Sequence, residues 1–148
     1  MSSIVWIHAD CLRRECAAFQ QYPTAPALFV WDDVVLRGYG LSLKRMVFLY
    51  ECLLDLDVEI HRGDVASEVR AFAQTHGATT IITMETPAPR FATIVADLRT
   101  THRVDVHADE PFAEVSDGVD IKRFSRFWGS IRTQVVRQPQ QRGLFDDR

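Results

Sequence analysis

Eight residues, His8, Asp10, Asp32, Gly63, Asp64, Met84, Glu85 and Arg90, share one placement: each stands at or just past the end of a short apolar run. IVWI leads into His8-Ala9-Asp10, and LFVW leads into Asp32-Asp33. The alternation of Val58 and Ile60 leads to Gly63-Asp64, and TTIIT runs into Met84-Glu85 with Arg90 shortly after. If the runs are parallel strands, these residues line a crevice where strand ends and helix N-termini converge, and the chemistry available there is binding. Asp10 and Asp32 serve equally as ligand contacts or as caps, and Asp64 reads as a helix N-cap with Gly63-Asp64 as a turn. Arg90 is a ligand clamp or a solvated helix residue. His8 is a polar contact or a histidine satisfied at a strand end.

Reaction chemistry is thinly supplied. The chain has no G-x-G-x-x-G, no Walker loop, no G-x-S-x-G and no H-E-x-x-H, and no nucleophile, base and orienter can be assigned. RGYGLSLKR, residues 37–45, places glycines and cations near a helix start, where an anion could sit. The five histidines and three cysteines lack metal-ligand spacing.

The elements that must carry these residues follow from the apolar periodicities. Strands are expected at Ile4–His8, Leu28–Trp31, Asp57–His61, Thr79–Thr83 and Val104–His107. Helices are expected at Arg13–Gln20, Leu41–Asp55 and Val65–His76, then one opened by Pro89 with Phe91, Ile94, Val95 and Leu98 on one side, and last Ile121–Val136. Leu43, Met46, Val47, Tyr50, Leu53 and Leu54 form the main stripe of the second helix; Phe48, Leu49 and Cys52 lie outside it, which implies burial against the sheet and something else. DDVVLRGYG, with two glycines, reads as an exposed loop. Alternating strands and helices predict an α/β fold with a five-stranded parallel Rossmann-like sheet in order 3-2-1-4-5 and helices on both faces. Residues 1–110 are expected to form this domain, 111–136 a connector and amphipathic C-terminal helix, and 137–148 a flexible, disordered tail.

A chain of 148 residues suffices for one domain of this kind. Its net charge of −3 gives no global pull toward nucleic acid, so direct DNA binding is not expected. No apolar run reaches the length of a membrane span, and the start lacks a signal-peptide pattern, so a cytoplasmic protein without membrane contact is expected. Cys11, Cys16 and Cys52 are odd in number and unpaired in spacing, hence reduced thiols, with Cys52 assigned to the core.

Read in order, the segments resemble the N-terminal α/β domain of the DNA photolyase and cryptochrome family, from about Ile4 to Ile131. IVWIHADCLRRECAAF resembles that family's first strand and its Arg-Asp-Leu-Arg loop, LFVWDD its second strand, and KRMVFLYECLLDLD its long helix. HRGD and GATTIITMETPAP follow at similar spacing, and RFSRFW, Arg123 to Trp128, is similar to the Phe-Thr-Pro-Phe segment that leads into the family's helical domain. The resemblance implies a domain that carries a light-harvesting antenna (folate, deazaflavin or flavin), while the FAD used in DNA repair belongs to the helical domain. No FAD site is visible here, so catalysis by this chain alone is not expected. His8 and Leu12 stand beside Asp10 where the family has arginines. Met84, Thr86 and Ala88 stand where folate-binding members have an Asn and acidic residues. The expected ligand is therefore a flavin, a deazaflavin or a nucleotide-like aromatic, held by backbone groups and Asp32, rather than a folate.

Two partners are also implied. Ile121, Phe124, Phe127, Trp128, Ile131 and Val135 give the last helix an apolar face with a basic rim, suited either to its own sheet or to a separate FAD-binding photolyase-like subunit. Gln141, Leu144 and Phe145 resemble the Gln-x-x-Leu-Phe peptide with which bacterial repair and replication proteins bind the DNA sliding clamp. Three functions stay open: a chromophore- or nucleotide-binding photolyase-like domain, an interaction module that recruits repair factors, and a nucleotide-binding enzyme of similar topology, the last disfavoured by the missing phosphate loop.

Overall fold

The computed structural model describes residues 2–109, 113, 115, 117–119 and 122–136, and the chain forms two compact units, Met1–Asp109 and Glu110–Arg148. In the first unit, β1 (Ser3–Ile7), β2 (Ala27–Asp32), β3 (Glu59–Gly63), β4 (Thr80–Met84) and β5 (Arg103–His107) build one all-parallel sheet in the order β3-β2-β1-β4-β5. The central strands are apolar on both faces, as a parallel sheet covered by helices requires. Trp6 of β1 sits opposite Leu28 of β2 and Thr83 of β4, which fixes the register of the three inner strands.

Side-chain alternation divides the interior into two cores. Ile4, Leu28 and Ile81 meet Val69 and Phe72 of α4 (Val65–Thr75) and Val95 and Leu98 of α5 (Phe91–Leu98). On the opposite face Val5, Ile7, Phe29 and Ile82 meet Ala18 of α1 (Ala17–Gln21) and Leu53 of α3 (Leu43–Leu54). Each fully buried Ile or Leu contributes roughly 1.5–3 kcal/mol of apolar transfer, so both layers are needed to hold the sheet. The chain winds outward through β1, β2 and β3, and α4 then returns it to β4 on the other side of β1. Connections at the carboxyl ends of β1 and β4 thus diverge, and a crevice opens between them.

Several elements differ from expectation. DDVVLRGYG is not a loop throughout: Asp33–Gly38 forms a short helix, α2, because the Asp32 carboxylate accepts the Val34 N–H at 2.8 Å and Asp33 pairs with Arg37 one turn on at 3.2 Å. Gly40, at φ 57°, ends the segment in a conformation that favours glycine. β3 lies two residues later than expected and contains Gly63. α1 starts at Ala17 rather than Arg13, and α3 begins two residues after Leu41, at Leu43, capped by the Ser42 hydroxyl on the Arg45 N–H. The α3 stripe also divides differently. Leu49 and Leu53 are buried, Met46 and Cys52 are half-buried, and Leu43, Val47, Tyr50 and Leu54 face outward, as does Phe48, which is exposed rather than buried against a second layer. Among the described residues no helix is long and apolar enough to cross a membrane.

The second unit contains α6 (Phe124–Val135), where the rings of Phe124 and Trp128, one turn apart, stack with centroids 6.0 Å apart. Ile121, Gln141, Leu144 and Phe145 lie outside the described residues.

Candidate functional site

A cavity of about 240 Å³ sits over the carboxyl ends of β1, β2 and β4. Its walls are mostly apolar: Trp6, Trp31, Val35 and Leu36 of α2, Leu41, and Phe91 and Ile94 of α5. Trp6 and Phe91 stack with centroids 5.8 Å apart and planes 25° apart, and His8 meets both rings edge-on. Such aromatic surfaces favour a flat ring packed against them. The volume is below the roughly 300–1,000 Å³ of sites that enclose a drug-sized ligand, so one ring system fits and any tail must extend outward.

His8 is fixed as a neutral donor. Its Nε2–H donates to the Met84 carbonyl at 2.9 Å, and Nδ1 accepts from the Asp10 N–H at 3.4 Å. Burial pushes its pKa below the ordinary histidine value, only partly opposed by the Met84 carbonyl and by the charges of Asp10 and Asp109. The neighbouring Cys11 thiol is pushed up to about 12 by burial, so it is not a thiolate near neutral pH and offers no nucleophile. Asp10 ties two loops together: its carboxylate accepts the Thr86 hydroxyl proton, and that hydroxyl oxygen accepts the Ala88 N–H at 3.1 Å.

Across the cavity, one Asp32 oxygen caps α2 and the other lies 3.2 Å from Arg90 Nε. That contact is an ion pair by distance, but the N–H is not aligned with the carboxylate and makes no hydrogen bond among the described residues. A buried donor left in this state is a ready contact for a ligand carbonyl or ring nitrogen. Arg45, from the first turn of α3, adds a second cation to the rim. Two carboxylates and two guanidinium groups border the apolar walls, a balance that suits a neutral ring with polar edges.

His8, Asp10, Asp32 and Arg90 are therefore brought together, and Gly63, Asp64, Met84 and Glu85 are not. Asp64 caps α4, accepting the Ser67 N–H at 3.0 Å and its hydroxyl at 2.9 Å; these bonds hold its carboxyl below the usual range. Gly63 is the last residue of β3, an edge strand, and packs beside Glu68. Met84 is fully buried in the core facing α1, contributing only its carbonyl to His8. Glu85 is exposed and its N–H bonds the His107 carbonyl at 2.7 Å. Asp33 turns outward to Arg37 and Arg62. Trp6, Trp31, Leu36, Leu41, Thr86 and Phe91 complete the site, and Arg45, from the glycine- and cation-bearing stretch 37–45, joins its rim. The usable signal was the aromatic at each inner strand end, Trp6 and Trp31, next to the polar residues already noted.

Among the described residues no cluster of three or more His, Cys, Asp or Glu could hold a metal ion. No protein-family model and no curated protein matches the chain.

Proposed function

We propose that this chain is a binding domain of photolyase type, non-catalytic alone, that holds a flat aromatic ligand such as a flavin, a deazaflavin or a nucleotide base over the carboxyl ends of β1, β2 and β4. The observation that carries the reading is the apolar cavity bounded by Trp6, Trp31 and Phe91, with Asp10, Asp32 and Arg90 at its polar edge. The ring stacks in the cavity, Arg90 donates to a ring carbonyl or nitrogen, and the Asp32 and Asp10 carboxylates accept from ring N–H groups. Neutral His8 maintains the Trp6–Phe91 wall. A near-ultraviolet or visible absorption band in the purified protein, or displacement of a reporter dye by FMN, deazaflavin or ATP, is the expected result. Colourless protein that binds none of the three would reject the reading.

A second role, docking to a separate flavin-binding or repair partner, is favoured by the Phe124–Trp128 stack, whose Phe124 ring is 72% exposed. The Gln141–Phe145 segment is the proposed sliding-clamp contact. Deleting residues 137–148 should abolish retention by an immobilised clamp, and unchanged retention would remove that partner.

A further inference from the structure

The outward face of α3 carries a regular pattern. Leu43, Val47, Tyr50 and Leu54 are spaced four, three and four residues apart, the a/d spacing of a coiled-coil seam, and all four are exposed, Leu43 at 72% and Leu54 at 64%. A different side, through Leu49 and Leu53, is buried in the first unit, so this seam is additional to the core contact. Over its eleven intervals the seam runs about 16 Å, three turns of helix. An apolar stripe of that length on a surface helix marks an interface.

We infer that this seam pairs with the same seam of a second copy of the chain, antiparallel about a two-fold axis midway between Val47 and Tyr50. The charges flanking the stripe select this occupant. Lys44 and Glu51 border the seam on one side, seven residues apart, and neither makes an ion pair among the described residues. Antiparallel pairing sets Leu43 opposite the second copy's Leu54 and Val47 opposite its Tyr50. It brings each Lys44 beside the other copy's Glu51, so the complementary pair forms twice. Parallel pairing would instead put the two copies' Lys44–Glu51 edges on opposite flanks of the seam, so that the complementary pair does not form, and would align the helix dipoles unfavourably. The two-fold arrangement is isologous and closes on itself, so it predicts a dimer and no higher polymer. A seam of four residues per copy falls at the small end of specific interfaces, and the dimer is accordingly one that dissociates on dilution.

Sedimentation equilibrium of the full chain tests this. The expected result is a concentration-dependent rise from 16.9 kDa toward twice that mass. Lys44→Glu and Glu51→Lys, each on the surface, should each raise the dissociation constant tenfold or more, and Lys44→Glu with Glu51→Lys together should restore it. Val47→Glu should abolish the dimer, with circular dichroism confirming that it folds. In a mixture of ¹⁴N- and ¹⁵N-labelled protein, a carbodiimide cross-link should join Lys44 of one copy to Glu51 of the other; Lys44 and Lys122 are the sole lysines, which makes assignment direct. A monomer at every accessible concentration, a dimer indifferent to the charge swaps, or cross-links leading from Lys44 to the second unit would each overturn the inference.

Discussion

Asp32 is asked to do two things at once, and substitutions separate them. One oxygen caps α2 through the Val34 N–H at 2.8 Å, and the other lies 3.2 Å from Arg90. Removing an N-cap costs about 1 kcal/mol. The ion pair is intermediate between a surface pair and a buried one: the Asp32 side chain is 11% exposed and that of Arg90 32%, so Arg90 retains some hydration when its partner is lost. Its contribution is about 1 kcal/mol, near the upper end for accessible pairs and well short of a fully buried one. Asp32→Ala should therefore destabilise the domain by about 2 kcal/mol. Asp32→Asn, which still caps, should cost about half of that. Urea titrations with a shared slope measure both, and a double-mutant cycle with Arg90→Gln isolates the pair. Because α2 supplies Val35 and Leu36 to the cavity wall, the alanine variant should also bind an aromatic ligand more weakly than the asparagine variant. An asparagine variant as damaged as the alanine one, or losses below about 0.5 kcal/mol in both, would refute the two-role assignment.

Other consequences can be measured independently. With its folded pKa below the ordinary value, buried His8 makes the unfolded chain bind more protons as pH falls through about 6.5, so stability should fall from neutral pH toward pH 5, by at most about 1.4 kcal/mol per pH unit. His8→Gln should flatten that part of the stability profile, and parallel profiles would contradict it; the Asp64 carboxyl, lowered below its usual range, acts in a separate, more acidic window. Thr83 is fully buried with a hydroxyl that makes no hydrogen bond among the described residues, so Thr83→Val should be neutral or stabilise by up to about 1 kcal/mol in chemical denaturation. Cys11 and Cys16 are buried while Cys52 is half-buried, so a thiol reagent at pH 7.5 should modify Cys52 first and the other two only on unfolding; rapid labelling of Cys11 would show that its burial is wrong.

The sheet was legible because its signals are strong where burial is complete. IVWI and the IIT of TTIIT are buried on both faces, and Asp64 and Gly77 punctuate α4 with a cap and a left-handed residue at φ 58°. β3 slipped by two residues because it is an edge strand, half-buried at best, where alternation is diluted by Glu59 and Arg62. α2 escaped notice because six residues span less than two turns, too few for a periodic pattern, and its cap depends on the side chain of the preceding strand's last residue. The polar half of the cavity was readable from strand ends. Its apolar half was not, because Trp6 and Phe91 have the composition of core residues and only the divergence of the connections after β1 and β4 shows that they border a space. On α3 the sequence shows one broad apolar helix; which stripe faces the sheet is decided by packing of Leu49 and Leu53.

Occupancy of the strand-end cavity by a flat aromatic ligand can be observed residue by residue. Backbone amide shifts of ¹⁵N-labelled protein titrated with FMN, and with a deazaflavin, report the location directly. Saturable shifts grouped at Ala9, Asp10, Asp32, Thr86, Ala88 and Phe91 are the predicted result. Shifts that never saturate, or that gather on α6 or the outer face of α3 while those amides stay still, would contradict it.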